Sequence, residues 1–276
     1  TADADNNRIE TYSLAGSVLF DSFITADRFT FGKERVNYAE APIFPGTYQT
    51  SPTYSSSTAY GSLASLNVPN TLANPLLTGG MRTELEYGIE VKFLQNRLGL
   101  DFTYFDREDS NLPVAITAAG STGYTGLNVN SKITSSTGVE VMISGTPIVN
   151  DNLRWDVSVN FATLEKTVDF IYEGIERNIL DSWLSWSSMD LQEIVGQEWG
   201  MLYGRKRLKD DNGNWVYYAS GNHRYENNQL LGNIMPDYTG GITSTLQYKN
   251  WDFAVGIDFQ EGGLYHSVTD MFSMAA

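Results

Sequence analysis

Hydrophobic and polar residues alternate with a period of two along much of this chain. From Glu84 to Phe93, Leu85, Tyr87, Ile89, Val91 and Phe93 form one set, and Glu84, Glu86, Gly88, Glu90 and Lys92 form the other. A strand turns successive side chains to opposite faces, so this segment reads as a strand with one apolar and one charged face. After Gln95-Asn96-Arg97 the pattern resumes, with Leu98, Leu100, Phe102 and Tyr104 set against Gly99, Asp101 and Thr103. It returns at Val139, Val141 and Ile143, from Leu153 to Phe161, from Tyr238 to Tyr248, and from Trp251 to Phe259 after a tight turn at Lys249-Asn250. Tyr12 to Phe20 alternates as well, and Phe29 to Ala39 does so more weakly. Phe20 to Ile24 carries no turn signal, so a strand runs on there and the passage reads as a join between pieces of a longer chain.

The pattern predicts about eight strands of roughly ten residues, against five or six in ordinary globular domains. Ten is the length that a tilted strand needs to cross a bilayer. The apolar sets contain no Lys, Arg, Asp or Glu, and a Lys or Arg there would cost about 2–4 kcal/mol at a bilayer midplane. Short connections follow Phe93, Ile143 and Tyr248, whereas long ones follow Tyr104, Phe161 and Phe259. Phe93, Trp155, Tyr248 and Trp251 flank the short turns and are expected to form one interfacial girdle. The fold expected is all-β, an antiparallel transmembrane β-barrel in contact with the lipid bilayer, with long outer loops at about 107–136 and 162–236. A soluble or surface β-sandwich, acting as a binding or adhesion module, is the other architecture with this alternation.

Composition narrows the function. Eighteen Lys and Arg against 33 Asp and Glu give a net charge of −15, which argues against a nucleic-acid partner. Aromatics make up 13% and charged residues 18%, too many rings and too few charges for a disordered acidic segment. Cysteine is absent and His223 and His266 are the only histidines, which excludes disulfide scaffolds, thiolate sites and multi-His metal centres. No metal and no cofactor is expected. No apolar run reaches the length of a membrane helix. Thr1 to Asn7 has neither a basic region nor an apolar stretch, so the chain is expected to open on mature or internal sequence.

Candidate chemistry is sparse, and no enzyme is expected. Asp210-Asp211-Asn212-Gly213-Asn214 is calcium-loop-like, but the sixth and twelfth positions hold Trp215 and Gly221, so a hairpin turn between Leu208 and Val216 is expected instead. Glu84, Glu86, Glu90, Asp101 and Glu140 lie on polar strand faces and read as a hydrated wall, with cations such as Lys92 or Arg154 nearby. The histidines have no nucleophile in a recognisable arrangement and read as structural. Leu180 to Val195 has loosely helical spacing without a convincing helix, and the Ser/Thr/Tyr-rich stretch from Tyr48 to Ser65 reads as a loop. Trp183, Trp186, Trp215, Tyr217, Tyr218 and Tyr225, with Trp199 among them, fall in the longest connection. Ring faces of this kind stack on sugars or on apolar parts of peptides, and the first six are the candidate substrate contacts.

A series of short motifs resembles the SusC/RagA family of TonB-dependent transporters. It starts at Asn74-Pro75-Leu76-Leu77 and continues through Glu84-Leu85-Glu86-Tyr87-Gly88-Ile89-Glu90 and Phe93-Leu94-Gln95-Asn96-Arg97 into Leu98 to Phe105. Thr137-Gly138-Val139-Glu140, Gly145-Thr146-Pro147, Leu153-Arg154-Trp155-Asp156-Val157 and Gly196-Gln197-Glu198-Trp199-Gly200 with Tyr203-Gly204 follow in family order. Leu231-Gly232-Asn233, Pro236-Asp237-Tyr238-Thr239-Gly240-Gly241 and Gly262-Gly263 complete the series. Their order over about Phe31 to Ser267 is more specific than any single motif. The resemblance implies the later part of a barrel of about 22 strands, with the plug domain not present in this segment. It also implies import of oligosaccharide or peptide across the Gram-negative outer membrane. The implied partners are a SusD-like surface lipoprotein and the TonB complex, the latter through a plug segment outside this chain.

Overall fold

The computed structural model describes residues 8–184, 189–267, 269 and 273, without the side chains of 183 and 184. Fifteen strands are described: β1 (Ser13–Leu19), β2 (Phe29–Ile43), β3 (Ser55–Tyr60), β4 (Leu63–Asn67), β5 (Thr71–Leu72), β6 (Gly80–Phe93), β7 (Leu98–Thr117), β8 (Gly126–Val149), β9 (Leu153–Phe170), β10 (Arg177–Leu184), β11 (Met189–Ile194), β12 (Met201–Arg207), β13 (Tyr225–Asn233), β14 (Pro236–Tyr248) and β15 (Trp251–Gly262). The main sheet has the order β1-β2-β6-β7-β8-β9-β14-β15, antiparallel throughout, with the short β5 added parallel to β8. Its eight principal strands are those that the alternation predicts.

Register explains why the two faces stay separate. Ile89 pairs with Phe102, Phe102 with Val141, Val141 with Phe161, Phe161 with Gly240, and Gly240 with Phe259. One step along, Gly88, Thr103, Glu140, Ala162, Thr239 and Gln260 form the matching polar row. Directly opposed residues share a face, so each strand extends the apolar surface of its neighbour. That surface is bare among the described residues: Ile89 and Ile242 are 38% exposed, Val255 is 58% exposed, and Val157 is half-buried. No second sheet covers it, as a sandwich would require. Glu34 of β2 breaks the uncharged face, since it pairs with Val18 and Ile89 and is exposed beside Val36 and Tyr38, and Asp106 does so toward the outer end, where it pairs with Leu85.

The short turns share one edge. Leu94, Gln95 and Asn96 all take positive φ, and Arg97 fastens the turn to the next hairpin by donating to the carbonyls of Thr146 and Pro147. Phe93, Trp155, Tyr248 and Trp251 lie at this edge on the apolar face, and the indole of Trp155 donates to Ser244 at 2.9 Å. Asn74 forms an Asx turn by accepting from the Leu76 amide, and donates across to the Asn128 carbonyl of β8. Leu77 is thereby drawn to 1% exposure.

Three expectations need correction. Between β1 and β2 the chain does turn, through a 3-10 segment at Asp21–Phe23. The segment from Tyr48 to Ser65 is not all loop, because β3 and β4 form a hairpin of their own within 55–67. The regions 107–136 and 162–236 are also largely strand. β7 and β8 run on as a paired ribbon to Thr117 and from Gly126, with bulges near Asn111, and β9 reaches Phe170. Beyond the ribbon, β10-β11-β12-β13 form a separate antiparallel sheet. β10 and β11 pair across Leu180 to Val195, from Arg177↔Ile194 to Leu184↔Met189. A hydrophobic core lies where this sheet meets the ribbon: Val114, Ile116, Val129, Val168 and Ile171, backed by Val195 and Trp199.

Candidate ligand-binding site

Two chemically different regions stand out, one on the polar side of the main sheet and one at the tip of the outer sheet. The first is the wall. Arg35 lies flat across Gly88, where a Cβ would come within 2.3 Å of its Nε. From there its guanidinium reaches Asp101 at 2.8 and 3.2 Å, Thr103 at 2.5 Å and Glu86 at 3.6 Å. Arg107 pairs with Glu84 at 2.5 Å, and Lys92 pairs with Glu90 at 2.9 Å. Glu84, Glu86 and Asp101 thus hold cations from neighbouring strands and Glu90 holds one of its own strand, although for Glu84 and Glu86 these are Arg107 and Arg35 rather than the Lys92 or Arg154 expected. Arg154 binds Asp156 instead. Phe105 lies over Gly138, whose missing side chain leaves room for the ring. A cleft of about 490 Å³ opens here between Arg35, Glu86, Arg107, Glu140 and the Met235-Pro236 corner.

Above the wall, a buried ionic junction joins the ribbon to the outer sheet. Arg82 grips Asp109 through two bonds of 2.6 and 2.9 Å. Lys132 binds fully buried Glu193 at 2.8 Å, and Glu193 also accepts from the indole of Trp199 at 3.0 Å. Trp199 is therefore a packing residue, with Lys166 over its ring at 5.4 Å, and does not belong with the exposed aromatics of the outer connection. Burial works against the charge of Asp109, but the bonds from Arg82 and the fields of Arg82, Lys166 and Arg107 outweigh it, so its carboxyl ionises below the ordinary 3.8. A lowered carboxylate value stabilises the folded form above the ordinary value, and that contribution is lost as pH falls through the lowered one. Acid is therefore expected to loosen the junction only below about pH 4, as a change in Trp199 fluorescence that Asp109→Asn removes. A transition centred near neutral pH would contradict this.

The second region is the tip of the β12–β13 connection. Asp210 accepts from the amides of Asn212 and Asn214, Gly213 takes a φ of 84°, and Lys209 bridges to Trp215. This is the hairpin turn expected there, and the turn amides, those of Asn214 first, hold the Asp210 carboxyl below its ordinary value. A second small hairpin follows, with Tyr217 bridged to His223 and Gly221 turning at a φ of 85°. The two turns bring Trp215, Tyr217, Tyr218 and Tyr225 together, each between 43% and 55% exposed. His223 packs against Tyr217 at 4.5 Å and meets Trp215 edge-on at 6.0 Å, the structural role expected of it. Trp186 lies outside the described residues, as does the side chain of Trp183, so neither is placed.

Cations decorate these rings. Lys209 sits 4.3 Å from the centre of Trp215, Arg207 lies 6.0 Å from the same ring, and Arg224 lies 5.7 Å from Tyr218. Contacts of this kind contribute about 0.5–1 kcal/mol each at exposed sites. The motif reading passed over these cations. Their signal is Arg205-Lys206-Arg207-Leu208-Lys209, a dense basic run in an acidic chain. A cleft of about 570 Å³ lies alongside, between Arg205, Tyr218, Asn222, His223, Tyr225 and Asn227. Among the described residues no group of three or more His, Asp or Glu could hold a metal ion.

Comparison with known proteins places the fold. No family model matches the chain. TonB-dependent receptor P3 of Formosa agariphila is 24% identical over 228 residues, which is 74% of this chain and 23% of that protein. The RagAB peptide transporter superposes with a TM-score of 0.73 at 15% identity, covering 93% of this chain and 30% of its own. The RagAB peptide importer in its closed-closed state gives 0.74 at 16% identity, covering 94% and 30%. This chain thus spans less than a third of the length of each of these three proteins. Its fold is that of part of a TonB-dependent transporter barrel. The motif order from Asn74 to Gly263 resembles that of the SusC/RagA type.

Proposed function

We propose that this chain forms wall strands and outer loops of a transporter that imports oligosaccharide or peptide nutrients across the Gram-negative outer membrane. The observation that carries the reading is the two-faced sheet, with continuous bare apolar rows on one side and paired charges on the other. An apolar surface of this extent is stable against lipid and unstable in water. The polar face would line the interior, against water and a plug supplied by another part of the protein. A SusD-like lipoprotein would close over the outer loops, and energy would come from TonB through the plug. The names of the RagAB structures, a peptide transporter and importer, support transport as the class of activity. The tip aromatics Trp215, Tyr217, Tyr218 and Tyr225 would meet substrate first, together with Trp183 and Trp186 of the same outer connection.

Uptake of labelled oligosaccharide and peptide pools by cells carrying the intact protein tests this. Accumulation is expected to require TonB and the lipoprotein, and to fall about tenfold when Trp215, Tyr217 and Tyr218 are all changed to Ala at unchanged outer-membrane abundance. Accumulation unchanged without TonB would overturn it.

A further inference from the structure

We propose that the cleft beside the β12–β13 tip binds an anionic oligosaccharide, with Arg205 of its lining and the adjacent Arg224, on the ring of Tyr218, taking its carboxylate or sulfate groups and Tyr225 packing on its sugar faces. The inference rests on the import reading and narrows its substrate class.

Charge pairing makes the argument. On the wall and at the junction, Arg35, Arg82, Lys92, Arg107, Lys132 and Arg154 each hold a carboxylate within 4 Å. At the tip, none of Arg205, Lys206, Arg207, Lys209 and Arg224 forms an ion pair among the described residues. Asp210 spends its oxygens on its own turn, and Glu226, opposite Lys206 in the ladder, forms no ion pair among the described residues. Lys33, Lys166 and Arg177 also lack an ion pair, but the tip gathers five such cations in one place, which in a chain of net charge −15 makes a local positive patch suited to an anion.

Geometry turns that cluster into a cleft. Ladder pairing breaks between Gly204 and Lys206, and across the break Asn227 and Asn228 have no regular partner. Such an irregularity re-aims side chains out of the ladder, and the cleft opens beside this break, lined by Arg205 and Asn227. Arg224 lies over the ring of Tyr218, which presents a guanidinium fork and an aromatic face side by side. No aliphatic side chain lines the cleft. Its guanidinium, amide and phenol groups match a charged sugar.

The test is calorimetric titration of the intact transporter in detergent. The probes are tetragalacturonate, its fully methyl-esterified form, a sulfated carrageenan tetrasaccharide and an oligo-aspartate peptide. At least one anionic sugar is expected to bind about tenfold or more tighter than the neutral methyl ester, and to weaken as salt rises. Arg205→Gln with Arg224→Gln is expected to remove that advantage, and Arg205→Lys with Arg224→Lys to keep part of it, at unchanged thermal stability. The two anionic sugars distinguish carboxylate from sulfate as the recognised group. Equal binding of the methyl ester, tighter binding of the oligo-aspartate, or binding of neither anionic sugar would overturn the inference. TonB-dependent uptake persisting alongside any of these results would leave the import reading standing.

Discussion

Ile257→Arg is expected to destabilise the barrel by about 2–4 kcal/mol, whereas Asp258→Arg, one residue further on, is expected to be tolerated. The two side chains belong to the same strand and differ only in the face they occupy. Ile257 pairs with Ile242, which pairs with Val159 on the apolar row. Asp258 pairs with Gly241, which pairs with Asn160 on the polar row. If the apolar row meets hydrocarbon, an arginine there must be desolvated or reach for the headgroups, while the same arginine on the polar row stays hydrated. Unheated gel mobility and urea unfolding of the intact protein in lipid vesicles measure both variants. Equal losses, or a larger loss for Asp258→Arg, would mean that the sheet does not face lipid on the side assigned to it.

The same contrast explains which parts of the fold are legible in sequence. Alternation is visible where one face is apolar and the other wet, so Glu84 to Phe93 and Trp251 to Phe259 announce themselves. Past Phe105 the ribbon continues as Asp106-Arg107-Glu108-Asp109-Ser110-Asn111, polar on both faces, and the period vanishes although the strand does not. The outer sheet is hidden for a related reason. β12 reads Met201-Leu202-Tyr203-Gly204-Arg205-Lys206-Arg207, buried for half its length against other strands and exposed for the rest, which leaves no repeat to count. The carboxylates of the wall are legible as a class, but their partners are not. Arg35 and Asp101 are 66 residues apart, and only the register of β2, β6 and β7 brings them together. At the tip, the rings are legible one by one. Their gathering depends on two turns, and the unpaired charge of the cations beside them appears only when every neighbouring carboxylate has been placed.

The ionic junction gives the second large effect. Glu193→Ala is expected to cost about 3–5 kcal/mol in attachment of the outer sheet, because it leaves Lys132 without its partner at a site shielded from water. The side chain of Glu193 is fully buried and that of Lys132 is 15% exposed, so neither is stabilised by solvent once alone. Glu193 also carries the indole bond of Trp199, and its second oxygen has no partner among the described residues. Such a pair is costly to break and contributes little net stability when intact, since both charges were desolvated to form it. Lys132→Met combined with Glu193→Leu is therefore expected to recover most of the loss, by extending the neighbouring core of Val114, Val129 and Val168 into the space. Protease cleavage between Ile171 and Trp199, followed against urea while gel mobility reports the barrel separately, reads the two parts independently. A single variant as protected as the parent would show that the outer sheet is held elsewhere, and a double variant worse than the single would show that the pair contributes more than it costs.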